Sequence, residues 1–238
     1  MTALHPPASA LASGRALGPI DGMTALDSHQ IVDLFRVIAR RLAEARAELG
    51  ALDGAIGDAD HGNSMADGFA AVVRASAEAA TRGSDVGDLF VVAGRSFLNA
   101  VGATTGPLYA SALLRAGQRF AGQKTLAIAD LPDLLAAFAA GISDRGKARP
   151  GDKTMMDVWG PAARAAEQPG PPRDRMARAL RAAEDGRDAT RTMVASVGRA
   201  ARLGERSLGH VDPGAASAVI VIAALQEGLA HHLAQDRP

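Results

Sequence analysis

The chain has 238 residues, the size of one domain or at most two, and its 26 Lys plus Arg balance 26 Asp plus Glu. A formal net charge of zero lacks the basic excess of a non-specific nucleic-acid binder, and the absence of cysteine excludes disulfides, thiolate metal sites and a cysteine nucleophile. Hydrophobic residues at 47% exclude global disorder, and 53 alanines against 22 Ile plus Val favour helix over strand, which predicts an all-α fold with closely approaching helices.

Residues 1–24 read as a flexible N-terminal arm. Met1 to Gly22 is rich in Ala, Pro and Gly and is charged only at Arg15 and Asp21. It lacks the basic start and apolar core of a signal peptide. No apolar run reaches the ~18 residues of a membrane span, so the expectation is a cytoplasmic protein with no membrane partner. Residues 25–238 read as one helical domain, with no internal repeat and no dividing linker.

The spacing of Ile31, Leu34, Phe35, Ile38, Leu42 and Leu49 predicts a first helix from Ser28 to Glu48, capped by Asp27 or Ser28 and ended by Gly50. A polar loop, Asp53 to Gly62, leads to a second helix over Asn63–Thr81. A third follows over Val86–Ala100, a turn over Gly102–Pro107, and a fourth helix over Leu108–Phe120. The fifth runs from Leu131 to Ser143. The polar loop Arg145–Thr154 precedes a sixth, Met155–Glu167. A seventh is expected from Arg173 to Val197, with Gly186 a weak point costing ~1 kcal/mol against Ala. The loop Gly198–Pro213 enters the eighth, Gly214–Leu233. Val219–Ile222 has strand propensity but is flanked by alanines and continues at helical spacing, so no strand is expected. His231 and His232 read as solvated.

The Gly, Asp, Thr and His residues concentrate in four of these loops, and they are alternate loops. In an antiparallel bundle every second loop lies at the same end. The pattern therefore predicts one composite site at one mouth of an eight-helix antiparallel bundle.

Each loop has its own chemistry. Asp53, Asp58 and Asp60 lie within eight residues among glycines, and hard divalent cations favour converging carboxylates. Three unpaired carboxylates would otherwise repel one another. Thr104 and Thr105 precede a helix, where hydroxyls and free N–H groups suit a phosphate. The loop Arg145–Thr154 nearly spells G-x-x-x-x-G-K-[ST], but Asp152 interrupts the motif and a helix, not a strand, precedes it, so it is not a P-loop. In the last loop Asp212 caps a helix that has Pro213 at its first position.

Together, Gly57-Asp58-Ala59-Asp60-His61-Gly62, Gly102–Tyr109, Gly151-Asp152-Lys153-Thr154-Met155 and Asp212-Pro213-Gly214-Ala215 resemble, in order and spacing, the nucleotide-binding L subunit of dihydroxyacetone kinase. The resemblance covers about residues 25 to 236. It implies an eight-helix antiparallel barrel holding ADP or ATP and two Mg²⁺ at one end. It assigns the metals to Asp53, Asp58 and Asp60, and the nucleotide phosphates to His61, Gly62, Asn63, Ser64, Thr104, Thr105 and Arg199. Gly146 and Met155 would line the base and ribose, and Asp212, Pro213 and Gly214 would close the pocket. Three carboxylates plus ATP give about −7, of which two Mg²⁺ return +4, with Arg199 and helix N-termini offsetting the rest. The sequence departs from the family at Thr104-Thr105, where Ala-Ser is common, and at Asp67, where a basic residue is usual.

The resemblance further implies half of a kinase. A separate K subunit would hold the ketose through a histidine and supply the substrate base, and the donor would be ATP or a phosphotransferase-system phosphoprotein that recharges bound ADP. With the chain ending at Pro238, the expectation is that it binds nucleotide but phosphorylates nothing alone. Two other readings compete. One is a nucleotide-state regulatory module that docks on a transcription factor. The other is a metal-dependent ADP-ribosyl hydrolase, which the Gly151–Met155 and Asp212–Ala215 loops disfavour.

Overall fold

A computed structural model describes residues 25–235. The expected arm, residues 1–24, and residues 236–238 lie outside the described residues. Nine α-helices are present among the described residues: α1 Ser28–Glu44, α2 Arg46–Ile56, α3 His61–Thr81, α4 Val86–Ala100, α5 Thr105–Arg119, α6 Asp133–Gly146, α7 Met156–Glu167, α8 Pro172–Ala189 and α9 Pro213–Gln235. Asp27 caps α1 as expected, in a capping box with Gln30.

The count exceeds the expected eight because the first helix bends at Ala45 and does not stop at Gly50. The ladder continues through the bend, with Ala45 N donating to Arg41 O at 3.1 Å and Leu49 N to Ala45 O at 2.9 Å. A helix-interior glycine costs about 1 kcal/mol, whereas burying Leu49 and Ile56 gains roughly 1.5–3 kcal/mol each. Both are buried, so the helix runs on to Ile56 and carries Asp53 with it. Asp53 is therefore a helix residue rather than a loop residue.

Two further differences concern the ends of elements. The expected seventh helix stops at Ala189, followed by a 3-10 turn over Thr190–Thr192. Thr190 Oγ1 donates to Arg187 O at 2.6 Å and accepts from Asp212 N at 3.0 Å, which turns the chain toward the rim. Val194 and Val197, which mimic a continuing helix, are exposed. Ala25–Leu26 also pairs antiparallel with Leu126–Ala127 in a two-residue ladder that buries Leu26 and Leu126. Val219–Ile222 is helical, as expected.

The helices close into a ring. α1 packs on α3, each helix from α3 onward packs on the next, and α9 returns to α1, with α2 extending the first rod along α3. All eight aromatic side chains are buried inside. Phe69, Phe97, Tyr109, Trp159 and Phe138 form a chain of edge and tilted contacts, with centroids 5.4–6.3 Å apart, that joins α3 to α7. Close approach accounts for Gly186. A Cβ there would lie 2.0 Å from the main-chain Asp157 O, so α8 meets α7 backbone to backbone. Among the described residues α9 is long and apolar enough to cross a bilayer by length and composition, which the sequence reading did not expect, and it is packed mostly buried between α8 and α1. His232, expected to be solvated, is buried at its end.

Candidate functional site

The four polar connections meet at one rim, around a cleft of about 240 Å³. His61, Thr105, Met156 and Pro213 all line it, so α3, α5, α7 and α9 begin there and direct their positive N-terminal ends to one place. Of the residues singled out from sequence, Asp53, Asp58, Asp60, His61, Thr104, Thr105, Gly146, Met155, Arg199, Asp212, Pro213 and Gly214 line the cleft. Gly62, Asn63 and Ser64 do not. They form the first turn of α3, where Asn63 Oδ1 accepts from Arg46 at 3.0 Å and Ser64 N donates to Asp60 O at 2.9 Å. Arg46 also pairs with Asp67 at 2.7 Å, so the acidic departure from the family pattern has a local partner.

Asp53, Asp58 and Asp60 each offer one oxygen, and these oxygens lie within 4.8 Å of one another. Asp53 is buried, and its Oδ2 accepts the main-chain N–H of Asp60 at 2.9 Å and of His61 at 3.2 Å. These bonds fold the loop back over the end of α2. Gly57 permits the close approach, since a Cβ there would fall 2.2 Å from Asp53 Oδ1. Ala59 adopts φ 64°, a left-handed conformation costing about 1–2 kcal/mol, between the two exposed carboxylates. Arg199 forms an ion pair with Asp58.

The His61 ring reaches α9. Its Nε2 meets Ser217 Oγ at 2.9 Å, and burial holds the imidazole below the usual histidine range. Asp212 Oδ2 accepts the N–H of Ala215 at 2.7 Å, the expected cap of α9. Burial pushes the Asp212 carboxyl up to about 7, against the downward pull of that bond and of Lys153.

Lys153 lines the cleft and was not among the residues singled out. A lone lysine in a Gly-rich polar loop reads as solvated, yet this one is 1% exposed. Its Nζ donates to Thr190 O and to His210 O, each at 2.5 Å, and burial lowers the ammonium below the usual lysine range. Asp157, also buried, accepts the main-chain N–H of Thr154 at 2.7 Å and of Gly151 at 2.5 Å and fixes the turn into α7. Leu108, Ile142, Ala148 and Met156 complete an apolar wall beside Met155. These were not legible as site residues, because apolar residues at helix ends read as core.

Comparison with known proteins identifies the family. The family model for the DAK2 domain matches residues 55–227. The chain is 40% identical over 175 residues to the ADP-binding subunit DhaL of the PEP-dependent dihydroxyacetone kinase of Escherichia coli, covering 72% of this chain and 82% of that protein. It is 37% identical over 185 residues to the corresponding subunit of kinase 1 of Listeria innocua, covering 78% and 88%. It is 33% identical over 207 residues to the L-erythrulose 1-kinase of Mycolicibacterium smegmatis, covering 85% of this chain but 36% of that protein. The fold matches the crystal structure of the dihydroxyacetone kinase of C. freundii with TM-score 0.63 at 24% identity, over 93% of this chain and 38% of that one. The chain therefore belongs to the DAK2 domain family, together with the DhaL subunits of dihydroxyacetone kinases.

Proposed function

We propose that the chain is the nucleotide-holding subunit of a dihydroxyacetone-type ketose kinase, binding ADP or ATP with two Mg²⁺ and passing a phosphoryl group to a sugar held by a separate K subunit. One observation carries the reading. Three carboxylates, Arg199 and the N-termini of four helices converge on a single cleft. The DhaL relatives are named as ADP-binding subunits, which agrees with it.

The donor set fits a hard divalent cation. Asp53, Asp58 and Asp60 supply oxygens only, close enough to share one or two ions. Bound Mg²⁺ would neutralise the phosphate oxygens. Arg199 would meet the phosphates, along with Thr104 and Thr105 at the start of α5, and the His61 to Ser64 turn would complete that side. Gly146 and Met155, on the apolar wall, would line the base and ribose. Asp212, Pro213 and Gly214 would close the floor.

Phosphoryl transfer of this kind rests on positioning and charge stabilisation. The His61 ring is engaged with Ser217, which leaves it poorly placed as a base for a sugar hydroxyl and supports a partner as the source of that base. The reading admits two donors, ATP from solution and a phosphotransferase-system phosphoprotein recharging resident ADP. Calorimetric titration of ADP with and without Mg²⁺ tests the reading. Mg²⁺-dependent binding is expected, with sugar phosphorylation only after a K subunit is added. Triose phosphorylation by the isolated chain would contradict the division of labour.

A further inference from the structure

Two adjacent residues of the third connection hold the fourth at three points. Lys153 Nζ grips Thr190 O, at the start of the turn that leaves α8, and His210 O, just before α9. Asp152 grips the middle: its Oδ1 accepts from Ser196 Oγ at 2.6 Å and its main-chain O accepts from Ser196 N at 3.3 Å. Arg199 lies three residues beyond that central point, where it reaches Asp58.

Lys153 carries two unfavourable features at once. Its side chain is 1% exposed, although an ammonium is costly to bury. Its backbone has φ 59°, in the left-handed region that a lysine rarely adopts. Strain of this kind persists where the surrounding structure enforces it, and it gathers at functional sites. Here both features place a cation between two main-chain carbonyls of one segment. Thr190 O already accepts from Met193 N at 3.2 Å and takes the ammonium as a second donor.

We propose that Asp152 and Lys153 form a clamp that positions Arg199 over the carboxylate cluster, Lys153 being a positioning residue of the nucleotide site. The clamp stands on the ligand-free geometry. Its consequence for nucleotide rests on the function proposed above.

The test separates the two. Lys153→Met keeps the stem and removes the ammonium. In the ligand-free protein, trypsin cleavage after Arg199, Arg202 and Arg206 should be about fivefold faster or more, because the segment opens without global unfolding. Unchanged cleavage at these sites overturns the clamp, whatever the protein binds. The second measurement is a cycle on Mg–ADP affinity with Lys153→Met, Arg199→Ala and the double variant. Alone, Lys153→Met should raise Kd roughly tenfold, and in the Arg199→Ala background less than about twofold. Equal factors in both backgrounds overturn positioning and leave the lysine merely structural. Absence of Mg–ADP binding in the parent protein would defeat the proposed function, and the cleavage rates would still judge the clamp. Should Lys153→Met fail to fold, Ser196→Ala releases the hydroxyl from Asp152, leaves the bond from Arg149 N to the Asp152 carboxylate in place, and goes through the same measurements. Faster cleavage after Arg199 supports the clamp, and unchanged cleavage overturns it.

Discussion

Arg199 and Asp58 form an ion pair across the mouth of the cleft, so a guanidinium from the fourth connection stands against the carboxylate cluster of the first. Both side chains are about half exposed, at 50% and 47%. Exposed pairs contribute under about 1 kcal/mol to stability, so the pair is poorly explained as a device for folding. Arg199→Ala should leave thermal stability nearly unchanged and weaken Mg–ADP binding by roughly 1.5–3 kcal/mol, the value of a charge-assisted hydrogen bond. Calorimetry beside a melting curve checks both halves. Normal affinity would reduce the arginine to a surface contact.

The three carboxylates should not behave alike. Asp58 and Asp60 are exposed, so Asp58→Ala and Asp60→Ala should remove Mg²⁺-dependent nucleotide binding while the fold stays intact. Asp53 is buried and satisfies two main-chain N–H groups. Asp53→Ala orphans those donors and should also cost about 1–3 kcal/mol of stability. Chemical denaturation of the three variants separates them, and equal stability losses would contradict the assignment of distinct roles.

Asp212 makes the ligand-free protein sensitive to pH. Its carboxyl ionises near 3.8 in the unfolded chain and at about 7 in the folded one, because burial disfavours the charge. Between these values the folded state holds a proton that the unfolded state has released. Stability contributed by this group therefore falls as pH rises through the window and is lost above it. Asp212→Asn keeps an acceptor for the Ala215 N–H and cannot ionise. The variant should gain on the parent by roughly 2–4 kcal/mol between about pH 4 and pH 8. Urea unfolding at both ends, without divalent cations, measures the difference. Parallel pH profiles would show that Asp212 is ionised throughout.

Gly186 sets sequence and structure against each other. Helix propensity alone predicts that Gly186→Ala gains about 1 kcal/mol. The packing predicts the opposite, since the added Cβ would sit 2.0 Å from Asp157 O. Forcing α8 from α7 should cost about 1–3 kcal/mol and disturb the turn that Asp157 holds. A stabilised variant in denaturant titration would refute the close contact.

Much of the site was legible because loop parity is a property of the sequence. Alternate loops rich in Gly, Asp and Thr had to share an end once the helices were antiparallel, and the cleft lies there. Single-residue environments were less legible. Gly50 and Gly54 suggested a loop around Asp53, but buried Leu49 and Ile56 outweigh two glycines. Val194 and Val197 suggested a longer helix, although hydrophobicity does not reveal that both stay exposed. The strand pair depends on residues 25–26 meeting 126–127, which no local pattern encodes. Lys153 and the His61 ring find partners far along the chain, Thr190 and His210 for one and Ser217 for the other. Such partners emerge only when the ring closes.

The central claim is that this cleft holds a Mg–nucleotide. Native mass spectrometry of the untreated protein, followed by ADP titration with and without Mg²⁺, tests it most directly. The account predicts either co-purified ADP with two Mg²⁺, which favours a resident nucleotide recharged by a phosphoprotein, or an empty protein with Mg²⁺-dependent, exchangeable binding, which favours ATP from solution. A protein that carries no nucleotide and binds none with Mg²⁺ present would contradict it.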